Sequence, residues 1–199
     1  MKRATVDSSK LNSEAVLPYD LRLDDFRIAM QDVYDFFFDV NSLLVGKGLP
    51  RLDDMLRKQT ASGVISDMLT ASVARHSRSL VENQHHNGHP DLVLRGVYPS
   101  NSVLSGSEGV EIKSTLKRGG AVDTHGGRDQ WMCVFVYEVD RTTEPASVRD
   151  PMRFKEVYLG RVLATDFRSN PRGALGTRTA TLGRKAIASF RGNWIYLDR

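Results

Sequence analysis

The pattern of apolar residues changes near His89, and this change constrains the fold more than any other feature of the sequence. Upstream, seven apolar residues recur at alternating spacings of three and four, which places them on one stripe of a helix. Downstream, the apolar runs are short and rich in β-branched and aromatic residues, as is typical of strands. Helices followed mainly by strands predict an α+β fold, with a central mixed β-sheet flanked by helices and a mainly helical N-terminal half. The stripe consists of Leu23, Phe26, Met30, Val33, Phe37, Val40 and Leu44.

Glycine and proline, which break helices and strands, set the predicted boundaries of the elements. Gly46, Gly48 and Pro50 end the first helix, a second is predicted over Leu52–Lys58, and a third runs from Val64 to about Glu82. A short helix is expected near Gly183–Phe190. The predicted strands are Asp91–Leu94, Val110–Lys113, Trp131–Val139, Glu156–Leu163 and Trp194–Leu197. We therefore expect one domain over residues 1–199: a loose N-terminal arm (1–17), a helical part (20–84) and a sheet core with its connecting loops (89–199).

Length and composition exclude several classes of protein. A chain of 199 residues can bury a core without disulfides. Its single cysteine, Cys133, excludes an internal disulfide, lies in an apolar run where burial is expected, and suits a reducing compartment. No apolar stretch approaches the roughly 18 residues of a membrane helix, and the polar first ten residues lead into no signal-peptide core. The expectation is a soluble, cytoplasmic protein without a membrane partner.

Charge is unevenly distributed along the chain. There are 28 basic and 24 acidic residues, a formal net charge of +4; residues 141–199 are rich in arginine and residues 20–54 in aspartate. This asymmetry fits a basic half that faces a polyanion and an acidic outer half. A solvated basic surface without a partner explains the same charges, so charge alone leaves both interpretations open.

The segment around Asp91 and Glu111 carries the strongest chemical signal. Side chains alternate along a strand, so Glu111 and Lys113 share one face while Val110 and Ile112 point to the other. The intervening Pro-Ser-Asn-Ser and Ser-Gly-Ser segments predict a hairpin, which would return the chain so that Asp91 lies within a residue or two of Glu111. Two carboxylates and one ammonium group would then converge.

Such a group of side chains suits phosphodiester hydrolysis. Two carboxylates, with a backbone carbonyl such as that of Ile112, form an oxygen site for Mg²⁺. The metal would acidify a water and stabilise charge on phosphate oxygens. Lys113 would add positive charge beside the scissile phosphate.

Pro90-Asp91 followed by Glu111-Ile112-Lys113 resembles the signature of the PD-(D/E)xK nuclease superfamily, and its setting resembles a type II restriction endonuclease. The resemblance implies a restriction-endonuclease-like core, metal binding by Asp91 and Glu111, and a lysine, Lys113, that assists the attacking water. Many members also carry a metal-proximal glutamate on the helix before the first motif strand, a position that Glu82 matches by location only. A Mg²⁺-dependent, sequence-specific endonuclease acting on double-stranded DNA as a homodimer is the leading expectation.

Three alternatives compete with that expectation. A structure-specific or repair nuclease, such as a junction resolvase or a nickase, would keep the chemistry and change the substrate. A non-catalytic DNA-binding module would keep only the fold, although such modules usually lose a carboxylate or the lysine. The simplest alternative is an exposed hairpin whose Glu–Lys pair is solvated.

Further residues are candidates for supporting roles. His89 could contact a phosphate or, with His85 and His86, bind zinc, but no cysteine or HExxH spacing accompanies them, and all three could be ordinary loop residues. Gln130 could support the active site. The glycine-rich segment 114–130 and the arginine-rich C-terminal third offer donors for phosphates and base edges, or else flexible basic loops. The DNA-binding candidates are Lys117, Arg118, His125, Arg128, Arg172, Arg178 and Arg184.

The stripe from Leu23 to Leu44 also has two interpretations. Its spacing is compatible with a coiled-coil dimer seam, and equally with one amphipathic helix packed on its own sheet. Five aspartates on this segment are most simply a solvated helix face; they are Asp24, Asp25, Asp32, Asp35 and Asp39.

Overall fold

The computed structural model describes residues 1–118, 123–124, 126–169 and 179–198. The helices are α1 (Leu23–Gly46), α2 (Leu52–Met55), α3 (Lys58–His76) and α4 (Arg184–Gly192). The strands are β1 (Leu80–Glu82), β2 (Leu92–Leu94), β3 (Gly109–Thr115), β4 (Asp123–Thr124), β5 (Gln130–Glu138), β6 (Arg153–Val162), β7 (Phe167–Ser169), β8 (Ala180–Leu182) and β9 (Trp194–Leu197).

A six-stranded mixed sheet forms the centre of the fold, in the order β1-β2-β3-β5-β6-β9. β3 and β5 pair in parallel, and the other neighbours in this sheet are antiparallel. A second, three-stranded sheet has the order β4-β8-β7. The predicted α+β class, with a mixed sheet, flanking helices and a helical N-terminal half, is confirmed.

The central strand β5 is buried on both faces, because helices cover the sheet on each side. Cys133, Phe135 and Tyr137 pack with residues of α1 and α3. The alternate residues, Met132 and Val134, pack with residues of α4 and of the small sheet on the other side. The apolar run that contains Cys133 is therefore core, as predicted.

Helix α1 follows the predicted stripe. Phe26, Met30, Val33 and Phe37 are all buried in the core on the α1/α3 side of the sheet. The stripe packs on the protein's own sheet, which is the second of the two interpretations that the sequence allowed. The helix ends at Gly46, as the glycines predict.

The third helix differs from its prediction. It begins at Lys58 and ends at His76, and Leu80–Glu82 forms the edge strand β1 instead of a last helical turn. The hydroxyl of Ser77 accepts hydrogen bonds from the backbone N–H groups of Ser79 (3.3 Å) and Leu80 (3.0 Å), which turns the chain out of the helix. The predicted second helix is also shorter, because α2 ends at Met55.

The first 17 residues were expected to be a loose arm, but they pack against the rest of the molecule. Ala4 and Val6 are buried, and the side chain of Gln31 on α1 bonds the backbone of both residues. Leu11 bridges to Tyr196 in β9.

Within the described residues, no helix is both long and apolar enough to cross a membrane.

Candidate active site

The strands β2 and β3 bring Asp91 beside Glu111. Leu92 pairs with Val110 and Val93 with Gly109, so the next pair along this antiparallel ribbon is Asp91 and Glu111. The ribbon fixes Asp91 further, because its Oδ2 atom accepts a hydrogen bond of 2.8 Å from the backbone N–H of Ile112. The hairpin predicted from the sequence is confirmed in this respect.

The register also decides which face of the sheet carries the site. Glu111 pairs with Met132 on β5, and Met132 packs with α4. Ile112 pairs with Cys133, which packs with α1 and α3. Since paired residues share a face, Glu111 and Lys113 lie on the side of the sheet covered by α4 and the small sheet.

Lys113 links the two carboxylates. Its Nζ atom lies 2.6 Å from Oε1 of Glu111 and 3.8 Å from Oδ2 of Asp91. Burial alone lowers the pKa of Lys113, but the negative charges of Glu111 and Asp91 outweigh it and raise this pKa above its usual value. The lysine is therefore held as a cation between the carboxylates.

The two carboxylates differ in acidity. Burial, reinforced by the charge of Glu111, raises the pKa of Asp91 to about 6. Burial also opposes ionisation of Glu111, which is only 1% exposed, but the hydrogen bond from His89 and the charge of Lys113 dominate and lower its pKa to about 2. As the pH falls, Asp91 is therefore the member of the pair that takes up a proton first.

The sequence suggested only a possible supporting role for His89, but the structure places its side chain against Glu111. Its Nδ1 atom lies 3.2 Å from Oε2 of Glu111. Three of the described side chains, those of His89, Asp91 and Glu111, could hold a metal ion together. Their ligand atoms all lie within 4.8 Å of one another. His85 and His86 are exposed and do not belong to this set, which argues against the three-histidine zinc site.

Asn83 supports the backbone of this region. Its side-chain amide donates to the carbonyls of Pro90 (3.0 Å) and Val103 (2.8 Å), and its Oδ1 atom accepts from the N–H of Val103 (3.0 Å). Its own N–H donates to the carbonyl of Asp91 at 2.9 Å. No sequence signal singled out Asn83, since its partners lie up to 20 residues away.

Glu82, predicted beside the metal on a helix, lies at the end of strand β1 and is exposed. It pairs with Leu92, whose side chain faces the α1/α3 core, so Glu82 lies on the face opposite to Glu111. It does line a cleft of about 310 Å³ together with Asp67 on α3 and Asp91. The structure therefore does not bring Glu82 into the group of side chains that could hold a metal ion.

The other predicted residues occupy different surroundings. The charge of Arg128 acts on Lys113, so this arginine lies near the site. Arg118 pairs with Glu138 at the far end of β5 and is remote from Glu111 along the strand. Lys117 and Arg184 are exposed. His125, Arg172 and Arg178 lie outside the described residues.

Gln130 begins β5 and is 1% exposed. It lies on the same face as Met132, two positions away, and therefore on the face that carries Glu111. Its Oε1 atom is buried without a hydrogen-bond partner within the part of the chain that the structure describes. A buried acceptor of this kind normally binds a water or a ligand, and the supporting role of Gln130 stays a prediction.

No protein-family profile matches this chain, and no curated protein matches it. The geometry of the site must therefore carry any functional assignment.

Proposed function

We propose that this protein is a divalent-metal-dependent DNA endonuclease of the restriction-endonuclease type, with Asp91, Glu111 and Lys113 as its catalytic residues. The observation that carries the proposal is the position of Lys113, whose Nζ atom lies 2.6 Å from the buried carboxylate of Glu111 and 3.8 Å from the half-buried carboxylate of Asp91. Two carboxylates and one ammonium group on a single face of a β-ribbon suit metal-assisted hydrolysis of a phosphodiester.

The donor set fits Mg²⁺. Asp91 and Glu111 would supply carboxylate oxygens. Ile112, whose backbone N–H donates to Asp91, would supply its backbone carbonyl as a further oxygen ligand. When bound, the ion would supply a Lewis acid for the phosphate oxygens and acidify the attacking water. Asp91 and Glu111 would hold and orient it.

Lys113 would act on the substrate side. The charge of its ammonium group offsets those of the two carboxylates. With a divalent ion held by Asp91 and Glu111, the ammonium group of Lys113 would be free to bind a phosphate oxygen and to orient the attacking water. Arg128, whose charge acts on Lys113, would bind the neighbouring DNA phosphate.

Double-stranded DNA is the proposed substrate, and a homodimer would place one site on each strand of a palindrome. Glu111 lies on the face of the sheet that α4 covers, and the exposed Arg184 is the first residue of α4. We therefore expect DNA to bind on this side of the molecule.

The test is digestion of a panel of plasmid, phage and branched DNAs with Mg²⁺, with EDTA and with Lys113→Ala. Lys47→Ala, which removes an exposed lysine next to α1, is the matched control. Discrete double-strand cuts that need Mg²⁺, disappear in Lys113→Ala and persist in Lys47→Ala would support a site-specific endonuclease.

Other outcomes point elsewhere. Nicking, or cutting confined to branched DNA, would favour the structure-specific nuclease. Salt-sensitive DNA binding without any cleavage, unchanged by Lys113→Ala, would indicate a non-catalytic DNA-binding module and refute the proposal.

A further inference from the structure

We propose that His89 is a direct ligand of the metal ion, which makes the centre a mixed nitrogen–oxygen site that binds Mn²⁺ in preference to Mg²⁺. This inference rests on the proposed function only in that both place the metal at Asp91 and Glu111. It goes further by adding a ligand type that an oxygen-only magnesium site lacks.

The distances already suit three ligands on one ion. Neighbouring ligands at right angles on an octahedral ion with bonds of about 2.1 Å lie about 3.0 Å apart. Nδ1 of His89 and Oε2 of Glu111 are 3.2 Å apart. All three ligand atoms, including one from Asp91, lie within 4.8 Å of one another, so a small inward movement would complete the set.

The position of His89 is built into the fold. Its backbone N–H donates to the carbonyl of Leu104 (3.1 Å), and its carbonyl accepts from the N–H of Gly106 (2.8 Å). Its side chain is only 16% exposed, in contrast to the exposed His85 and His86 of the same loop. A half-buried imidazole fixed beside a buried carboxylate is preorganised for a metal ion.

The chemistry of the ligands then sets the metal preference. Mg²⁺ selects oxygen ligands, whereas an imidazole nitrogen favours first-row transition ions such as Mn²⁺. The competing role for His89 lies outside the coordination sphere, where it would only orient Glu111 through a hydrogen bond. The two roles differ in one observable, namely whether a histidine nitrogen is bonded to the ion.

The experiment is pulsed electron paramagnetic resonance of the full chain loaded with Mn²⁺ and without DNA. We expect electron spin echo modulation from a directly bound ¹⁴N nucleus, which changes to the ¹⁵N pattern when the protein is labelled with ¹⁵N-histidine. Isothermal titration should show tighter binding of Mn²⁺ than of Mg²⁺. These readouts use the unmodified protein, so they do not depend on the folding of a variant.

Variants assign the nitrogen. His89→Asn should abolish the nitrogen coupling and weaken Mn²⁺ binding at least about tenfold, with a smaller loss for Mg²⁺. His85→Asn, four residues away in the same loop, should leave the spectrum and both affinities unchanged.

Three results would overturn the inference: no Mn²⁺ binding, no histidine nitrogen coupling in the loaded protein, or equal losses of Mg²⁺ and Mn²⁺ affinity in His89→Asn. Nitrogen coupling in a protein that cleaves no DNA would leave this inference standing while the nuclease proposal fails. Cleavage without nitrogen coupling would do the reverse.

Discussion

At the scale of single residues, the protonation of Asp91 links the site to pH. Burial and the charge of Glu111 both act against its ionisation and raise its pKa to about 6. Below that pH the carboxyl group carries a proton that a metal ion must displace, and above it the carboxylate is ready to bind. Metal affinity should therefore fall as the pH decreases through 6.

We expect the apparent Mg²⁺ dissociation constant to rise at least about tenfold for each pH unit below 6 and to level off above 7, because the proton of Asp91 competes with the ion and an imidazole ligand must also be deprotonated to bind it. Isothermal titration between pH 5 and pH 8 would measure this. The Asp91→Asn variant, which lacks this proton, should bind weakly and show a flatter profile. An affinity in the unmodified protein that is constant from pH 5 to pH 7 would contradict the expectation.

Asn83 should matter beyond its own position, because its side chain bonds the backbone of Pro90 and Val103. Asn83→Ala leaves those carbonyls without their donor, and we expect it to lower the free energy of unfolding by about 1–3 kcal/mol. It should also weaken metal binding, since Asp91 and His89 flank the released Pro90. Urea denaturation and metal titration measure the two effects.

Gln84→Ala, an exposed neighbour, serves as the control for Asn83→Ala and should change stability by less than about 0.5 kcal/mol. Equal effects of the two substitutions would show that Asn83 has no special role in fixing the loop.

Local pattern was enough to predict the central trio but not its surroundings. The alternation of Glu111 and Lys113 on one strand, and a turn that returns Asp91 to them, depend only on nearby sequence. The contact between His89 and Glu111 depends instead on contacts with residues 104–106, far along the chain, so the sequence offered His89 only as a supporting residue.

At the scale of elements, the pairing of β2 with β3 depends on the small size of Gly109. A Cβ atom at this position would lie 1.9 Å from the carbonyl oxygen of Leu92, which is backbone and cannot move aside without breaking the ribbon. We expect Gly109→Ala to lower the free energy of unfolding by at least about 2 kcal/mol and to separate Asp91 from Glu111. Urea denaturation and Mg²⁺ titration would detect both losses.

Gly63 provides the matched control. It lies within α3, and a Cβ atom there would meet nothing within 4 Å. Gly63→Ala should therefore raise stability by about 0.5–1 kcal/mol through its higher helix propensity, with metal binding unchanged. The prediction for the ribbon fails if both alanine variants are equally stable.

The end of the third helix was predicted wrongly because the apolar spacing of the helix continues into strand β1. Leu80 is buried and lies seven residues after Val73. Because seven residues are about two helical turns, this strand residue fits the helical spacing. The hydrogen bonds by which Ser77 diverts the chain are local, but hydrophobic periodicity does not reveal them. β4, β7 and β8 have two or three residues each, too few to show a period, so the sequence did not predict the small sheet.

At the scale of the whole molecule, the two faces of the large sheet have different roles. One face packs on α1 and α3, and the outer surface of α1 carries aspartates such as Asp24 and Asp39. The other face carries Glu111 and Lys113 beside α4 and the small sheet. The charge asymmetry of the sequence is compatible with an acidic and a basic half and equally with a solvated basic surface, and the sheet register shows how the chain could separate two such halves.

This arrangement makes a prediction about the salt dependence of DNA binding. Each phosphate contact adds about 0.9 to the slope of log affinity against log salt concentration. Arg128, whose charge acts on Lys113, should make such a contact, so Arg128→Ala should reduce the slope by about 1. Fluorescence anisotropy with labelled duplex DNA, in EDTA to prevent cleavage, gives the slope between 50 and 200 mM salt.

Arg27 is the control for the same change in charge on the opposite face. It lies on α1 and pairs with Asp24 at 2.7 Å, so Arg27→Ala should leave the slope unchanged if DNA binds only the face that carries Glu111. Equal reductions in the two variants would mean that DNA is attracted by net charge rather than bound to one face. A reduction in Arg128→Ala alone would orient the duplex over the site, where Lys113 could reach a phosphate.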